Sequence, residues 1–285
     1  MYHPTDPEPR LPDTLVGDVL ERLDLRAPTT DLVGLTAMYA AWCREVPWDN
    51  VQKRITVAER RPVLAGADPD EFFRNFLRHG TGGTCWPSSG ALHALLTALG
   101  FDTRRAVAAM MYDRAGKVPN HATEIVRADG EEWLVDSSML CERPLALRHG
   151  ERTAIDDPLY PMRAAPNDDG MWLVTWAAYA RDEQIGCWLF EDDVPQARLL
   201  ERYEASRTSG FSYGLTFRRN AADGVLSLNR TTRAFKDRQG TLTTREVADR
   251  AAILMGEGGL SPEIVARLPD DEPEPPRAPS PPDRR

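Results

Sequence analysis

The chain of 285 residues is 41% hydrophobic and 28% charged, proportions typical of a soluble globular protein. Its 44 acidic residues outnumber 35 Lys and Arg, and the formal net charge of -9 disfavours general attraction to nucleic acid or to anionic membranes. No apolar run approaches the roughly 20 residues of a membrane span, and the first residues do not resemble a secretory signal. We therefore expect a cytoplasmic protein that binds neither nucleic acid nor membranes.

The elements in chain order predict an α+β fold with three lobes. Residues 13–101 carry helical spacing, with a helix start at Asp68, Pro69 and Glu71. Residues 102–200 carry short β-prone runs that predict an antiparallel, barrel-like lobe, and residues 201–268 form a C-terminal α/β lobe. Residues 1–12 and the Pro-rich residues 269–285 are predicted to be disordered, because they offer little apolar surface to offset the entropy of ordering.

Further β-prone runs follow after residue 200. They are "FSYGLTF" at 211–217 and "GVLSLNR" at 224–230, which continue the antiparallel pattern, and a helix-like segment, "REVADRAAILMGEG", occupies 245–258.

Four cysteines are spread along the chain without a Cys-x-x-Cys pair, so neither a disulfide scaffold nor a structural zinc site is predicted. Three of them, Cys43, Cys141 and Cys187, are interpreted as core residues. Cys85 lies in "GTGGTCWPSSGALHALLTALG", where leucines at helical spacing predict a core-facing amphipathic helix that ends near Gly100. Pro87 suits the first turn of that helix, so Cys85 is expected at its N-terminus, where the helix dipole favours a thiolate.

His121 and Asp136 lie in two strand-like runs joined by Asp129-Gly130, a dipeptide typical of a tight hairpin. If these two residues form the loop, facing residues have numbers that sum to 259, and His121 and Asp136 point to the same face on a diagonal. A three-residue loop would put them on opposite faces. With the two-residue loop, His121 faces Ser138 and Asp136 faces Thr123.

A cysteine at a helix start, a histidine and a carboxylate supply the nucleophile, the base and the orienting group of acyl transfer. Each residue alone also has a structural interpretation, as a core thiol, a hydrogen-bonded histidine and the start of a turn. Together they could also bind a metal, but three scattered ligands make this the weaker interpretation, and no metal is expected. His93 and His79 are weaker candidates, and His3 and His149 are given no role.

The chain resembles the arylamine N-acetyltransferase family of transglutaminase-like cysteine enzymes from about residue 14 to 268. The resemblance rests on "VPWDNV" at 46–51, on "TGGTC" ending at Cys85, on "ALGFD", on His121, and on "WLVD" ending at Asp136. It implies a cysteine-protease-like core and a two-step reaction, in which an acyl-CoA acylates Cys85 and an amine takes the acyl group. Acetyl-CoA would be a co-substrate, and no tightly bound cofactor is implied.

The same resemblance places Gly83, Trp86, Ser137 and Ser138 at the oxyanion hole or in the cleft. The chain departs from the family at Thr81, at Trp86-Pro87 and at the segment 137–140, which replaces a Gly-Phe-Gly-containing stretch. An amide synthase that takes a carrier-protein-bound acyl chain is therefore an alternative. A transglutaminase-like hydrolase and a catalytically silent binding module are the others; the third lobe disfavours the hydrolase.

Overall fold

A computed structural model describes residues 10–110, 118–168, 170–177 and 184–275. Most of the two predicted disordered ends, residues 1–9 and 276–285, lies outside these residues. Over the described residues the fold is α+β with three lobes, as the sequence predicts. No helix among them is long and apolar enough to cross a membrane.

The helical lobe contains five helices in the described chain before residue 100. They are α1 (Asp13–Arg22), α2 (Leu32–Glu45), α3 (Val51–Ala58), α4 (Pro69–His79) and α5 (Cys85–Ala98). The start of α4 is confirmed, because the Asp68 side chain accepts a hydrogen bond from the Asp70 amide and Gly80 ends the helix at a φ of 72°. Glu71 does not close a capping box on Asp68, because its carboxylate accepts a hydrogen bond from the Gly66 amide at 3.0 Å.

The barrel-like lobe is an antiparallel sheet of eight described strands in the order β5-β4-β3-β2-β9-β8-β7-β6. The strands are β2 (Asp102–Met110), β3 (His121–Ala128), β4 (Glu131–Val135), β5 (Leu145–Ala146), β6 (Thr153–Ile155), β7 (Met162–Pro166), β8 (Trp172–Ala177) and β9 (Gln184–Asp192).

The third lobe is built on a second sheet of five described strands in the order β1-β10-β11-β12-β13. Its strands are β1 (Trp48–Asp49), β10 (Thr216–Ala221), β11 (Gly224–Asn229), β12 (Thr232–Asp237) and β13 (Leu242–Glu246). The described helices that follow β9 are α6 (Gln196–Ala205), α7 (Arg250–Gly256) and α8 (Pro262–Ala266). The β pattern up to residue 230 is thus divided between two sheets.

Two predicted elements of the third lobe are wrong in part. The run 211–217 is not one strand, because Gly210–Ser212 forms a 3-10 turn and pairing begins only at Thr216. The helix expected from residue 245 begins at Arg250, because Asp249 caps it by accepting a hydrogen bond from the Ala252 amide. Arg245 and Glu246 are the last residues of β13 instead.

The helix α5 is buried on nearly all sides, so the predicted amphipathic pattern is wrong. Leu92, Leu95 and Leu96 are buried as expected, but Ser88 and Ser89 are buried as well. The helix lies between α4 on one side and strands β2 and β3 on the other, with α6 also in contact. A central helix of this kind is apolar around its circumference.

The hairpin of β3 and β4 has the predicted two-residue loop. Asp129 and Gly130 have φ angles of 50° and 78°, the positive values that a type I′ turn requires. Pairing runs from Ala128 opposite Glu131 to Glu124 opposite Val135, so facing residues sum to 259.

The pairing of this hairpin ends before the catalytic candidates. His121 therefore does not face Ser138 across a ladder, contrary to the prediction. After Val135 the chain turns, and Asp136 Oδ1 accepts a hydrogen bond of 2.8 Å from the Ser138 amide.

Some of the residues predicted to be disordered are packed among the described residues. Leu11 is buried in the helical core, because the chain before α1 covers apolar surface there. Residues 269–272 pack on the third lobe, because the buried Arg54 guanidinium needs acceptors: it donates to the Asp270 carbonyl oxygen at 2.8 Å and forms an ion pair of 2.9 Å with Asp271. Asp271 also accepts a hydrogen bond from the Leu215 amide.

We expect Asp271→Ala to lower the free energy of unfolding by about 3 kcal/mol, because it removes the ion pair with the buried Arg54 guanidinium and the ion pair of 2.7 Å with Arg250. Asp270→Ala is the matched control, since the Asp270 side chain is exposed and Arg54 uses only its carbonyl oxygen. It should change the free energy by less than about 0.5 kcal/mol. Urea unfolding of both variants measures the difference, and equal stabilities would show that the segment is not anchored by these ion pairs.

Candidate active site

Cys85 is the first residue of α5, at the end of the helix where backbone N–H groups point outward. Thr84 precedes it, and within the described chain the Thr84 side chain makes no capping hydrogen bond. The thiol is 8% exposed, and its sulfur lies 3.9 Å from the carbonyl oxygen of Asn120, the residue before His121. The fold thus brings the start of α5 to the start of β3.

His121 and Asp136 are in direct contact, with His121 Nε2 2.6 Å from Asp136 Oδ2. Both side chains are buried. Because the carboxylate engages Nε2, Nδ1 is the ring nitrogen left to interact with the Cys85 side chain, which also raises the pKa of His121. The three residues that the sequence singles out therefore lie in one chain of contacts.

The positive charge of His121 and the negative charge of Asp136 stabilise each other. Burial opposes the imidazolium, but the charge of the Asp136 carboxylate, the hydrogen bond that His121 donates to it and the interaction with Cys85 outweigh burial and raise the pKa of His121 well above its ordinary value. Burial likewise opposes the Asp136 carboxylate, but the positive charge and hydrogen bond of His121 lower the pKa of Asp136. The arrangement favours a charged imidazolium beside the cysteine.

Asp136 is held by contacts with residues that no local sequence pattern marks. The Tyr39 hydroxyl donates to the Asp136 carbonyl oxygen at 2.9 Å and accepts from the Asp136 amide at 3.0 Å. Asp136 Oδ1 accepts from the amides of Ser138 and Met139. Tyr39 lies 97 residues away on α2, and nothing in its local sequence marks it as a partner of the site.

The glycine pair before Cys85 is fixed by the "VPWDNV" segment. Asp49 Oδ2 accepts a hydrogen bond of 2.7 Å from the Gly82 amide, and Oδ1 accepts one of 2.9 Å from the Val51 amide. The Asp49 amide donates to the Gly83 carbonyl oxygen at 3.2 Å. A side chain at Gly82 would lie 1.8 Å from the Pro47 carbonyl oxygen, so only glycine fits this close approach. Burial raises the pKa of Asp49 to about 6.

The four residues expected at the oxyanion hole or in the cleft all lie in the segments next to Cys85 and Asp136. Trp86 is 3% exposed and packs with Cys85 in an apolar cluster. Ser137 and Ser138 are buried directly after Asp136, and neither hydroxyl has a hydrogen-bond partner among the described residues. Gly83 lies against the first turn of α5, where a Cβ would be 2.9 Å from the Pro87 ring.

A buried carboxylate ties α5 to β3. Glu124 is fully buried; its Oε1 accepts a hydrogen bond of 2.6 Å from Ser89, and its Oε2 lies 2.9 Å from His93 Nδ1. Its neighbours two residues away on the strand, Ala122 and Val126, are fully buried. The sequence shows this carboxylate only as a polar interruption of an apolar run. It links the helix that carries Cys85 to the strand that carries His121.

The remaining candidates lie elsewhere or are structural. His79 Nδ1 lies 2.8 Å from the Ser261 hydroxyl on the third lobe, and burial lowers the pKa of His79. Cys43, Cys141 and Cys187 are buried free thiols. Across the described part of the chain, no group of three or more His, Cys, Asp and Glu residues is arranged to hold a metal ion.

Comparison with known proteins identifies the family. A family model described as N-acetyltransferase matches residues 31–255. The chain belongs to the arylamine N-acetyltransferase family. Proansamycin X synthase of Amycolatopsis mediterranei (strain S699) is 27% identical over 124 residues, which are 42% of this chain and 46% of that protein. The match thus spans less than half of that curated relative.

Solved structures of arylamine N-acetyltransferases share the fold. The enzyme of Mycobacterium marinum in complex with CoA is 22% identical, with a TM-score of 0.75, and the match covers 89% of this chain and 96% of that chain. The enzyme of Mycobacterium abscessus is 17% identical, with a TM-score of 0.74, over 89% of this chain and 93% of that chain. Family membership makes the protein an acyltransferase.

We expect Asp136→Asn to lower the pKa of His121 below its ordinary value of about 6.5, because burial then opposes the imidazolium without a carboxylate to offset it. In the wild type the same ring should titrate well above that value. NMR of isotope-labelled histidine measures both titrations, with His121→Gln used to assign the resonance. A His121 titration that Asp136→Asn leaves unchanged would contradict this account of the pair.

We expect Glu124→Ala to lower the free energy of unfolding by about 3 kcal/mol, because Ser89 and His93 lose a buried charged acceptor. Arg127→Ala on the same strand is the control, since the Arg127 side chain is 60% exposed, and it should cost less than about 0.5 kcal/mol. Chemical denaturation measures both. A cost below about 1 kcal/mol for Glu124→Ala would show that the network does not bind α5 to β3.

Proposed function

We propose that the protein transfers an acyl group from a CoA thioester to an amine through a thioester on Cys85, with His121 and Asp136 as the other catalytic residues. The observation that carries the proposal is the 2.6 Å contact of His121 Nε2 with Asp136 Oδ2, in a buried site where the same histidine meets a cysteine at a helix start. Membership of the family, and the CoA complex of the M. marinum enzyme, support a CoA thioester as donor.

In the first half-reaction the Cys85 sulfur, its proton on His121, attacks the carbonyl carbon of the donor. A new C–S bond forms and the carbonyl electron pair moves onto oxygen. The backbone N–H groups of Cys85 and Trp86, at the start of α5, are the proposed donors to this oxyanion. When the tetrahedral intermediate collapses, the donor C–S bond breaks and the leaving thiolate takes the proton from His121.

In the second half-reaction an amine attacks the acyl-Cys85 carbonyl carbon. His121 accepts the amine proton, a C–N bond forms, and the bond to Cys85 breaks to return the sulfur to its starting state. Asp136 keeps the His121 ring oriented and stabilises its positive charge in both steps. The burial of Asp136 and His121 limits access of water, which would otherwise hydrolyse the thioester.

Amide synthesis in a biosynthetic pathway, from an acyl chain held on a carrier protein, is the second candidate. The similarity to proansamycin X synthase favours it. So does the replacement of the family's Gly-Phe-Gly-containing stretch by Ser137-Ser138-Met139-Leu140. Both candidates use the same thioester on Cys85, and they differ in what delivers the acyl group and in which amine accepts it.

Intact-protein mass spectrometry after brief incubation with acyl-CoA thioesters tests the thioester. We expect one acyl adduct on the wild type, none on Cys85→Ala, and loss of the adduct when an arylamine is added. Cys187→Ala is the matched control, since Cys187 is buried and burial raises its pKa to about 12; this variant should acylate like the wild type.

Parallel incubations with N-acetylcysteamine thioesters and with an acyl carrier protein separate the donors. An adduct from CoA thioesters supports the transferase, and an adduct only from the other donors supports the amide synthase. An adduct that disappears in water without amine points to the hydrolase. No adduct from any donor would contradict the proposed function and leave the silent binding module.

A further inference from the structure

Lys53 is a buried cation whose hydrogen-bond partners are all neutral. It lies on α3 and is 3% exposed. Its Nζ donates to the Ser206 carbonyl oxygen at 2.7 Å, to the Ser206 hydroxyl at 2.9 Å and to the Ser209 hydroxyl at 3.0 Å. These three bonds use all three protons of the ammonium group, so its orientation is fixed.

The charge of Lys53 is not cancelled by an ion pair. Within the described residues no carboxylate lies within 4.0 Å of Nζ. The nearby Glu204 is paired with Arg207, which donates to Glu204 Oε2 at 2.9 Å. Burying an unpaired ammonium costs several kcal/mol, and burial lowers the pKa of Lys53 to about 8. At neutral pH the group still carries most of its positive charge.

Lys53 lies next to the apolar cluster that contains the nucleophile. Nζ lies 5.9 Å from the centre of the Tyr203 ring, and Tyr203 packs with Cys85 and Trp86 in one apolar cluster. A negative charge at Cys85 favours the charged form of Lys53. Because little water separates them, a charge at Lys53 acts on Cys85 more strongly than it would in solution.

We propose that Lys53 is a positioning residue whose fixed positive charge, acting across Tyr203, stabilises negative charge at the Cys85 sulfur and attracts anionic reactants to it. The inference rests on the proposed function, in which Cys85 is the nucleophile. The oxyanion and the thiolate both carry negative charge at this place, so a fixed cation lowers the energy of each without contacting the substrate. The serine contacts hold the charge still.

Alkylation of Cys85 measures this field. Iodoacetamide is neutral and iodoacetate is anionic; in both reactions the sulfur forms a bond to carbon and iodide leaves. Both rates depend equally on the fraction of Cys85 that is ionised, so this fraction does not affect the ratio of the iodoacetate rate to the iodoacetamide rate. The ratio therefore measures how strongly the site attracts the anionic reagent. We expect this ratio, measured at pH 7 by peptide mass spectrometry, to fall about fivefold in Lys53→Gln.

Two further variants separate charge from packing. Lys53→Arg keeps the charge and should keep the ratio near the wild-type value. Ser209→Ala is the matched control, because it removes one contact of Lys53 but keeps the charge and both Ser206 contacts, so its ratio should fall less than that of Lys53→Gln. A ratio that is unchanged in Lys53→Gln would overturn the inference, and so would an equal fall in Lys53→Gln and Ser209→Ala.

A pH series tests the inference without removing the lysine. The groups that face Lys53 are Cys85 from α5, Tyr203 and Glu204 from α6, and Arg207 after α6. As pH rises from 7 to 9 the wild type loses the Lys53 charge near pH 8, so its rate ratio should fall. Lys53→Arg should show a smaller fall, caused only by groups other than Lys53, and identical profiles would overturn the inference.

The failures of the two proposals are distinguishable. If wild-type Cys85 reacts no faster than the buried Cys187 and no acyl adduct forms, the proposed function fails, and the inference fails with it. If wild-type Cys85 is acylated but its rate ratio does not depend on Lys53, only the inference fails.

Discussion

The two-residue turn at Asp129-Gly130 is the constraint on which the site depends. It sets a register in which His121 and Asp136 approach to 2.6 Å, and a one-residue change in the loop would move every side chain of one strand to the other face. His121 and Asp136 lie beyond the last hydrogen-bonded residue pair of the hairpin. The turn at Asp136, held by Tyr39 and by the Ser138 amide, is therefore also needed to place the carboxylate beside His121.

Around this pair several buried polar groups join separate segments of chain. Glu124 joins α5 to β3, Asp49 joins the glycine pair to α3, and Arg54 joins α3 to the segment 269–272. Each would cost several kcal/mol if left without a partner. The same contacts that satisfy these groups therefore also fix the relative positions of the elements that carry Cys85 and His121.

The helix α3 connects the third lobe to the site. Consecutive residues on it, Lys53 and Arg54, bind two different segments, the turn at 206–209 and the chain at 269–272. The short strand β1 just before it belongs to the second sheet and also contacts Gly83. The three lobes thus meet next to the start of α5. For this reason the local sequence alone does not show which residues of the third lobe lie close to the site.

The sequence by itself determined the features that depend on neighbouring residues: the start of α4 at Asp68, the position of Cys85 at the start of α5, and the register of the hairpin. Turn chemistry and capping act over a few residues, and they can be read from a short stretch. Contacts between distant segments could not be found in this way. Only the tertiary structure decided that α5 is buried on nearly all sides, that the β-prone runs divide between two sheets, and that residues 269–272 are packed. It alone revealed Tyr39, Glu124 and Lys53, because a buried polar side chain is recognised by the partners that packing brings to it, and those lie far away in the sequence.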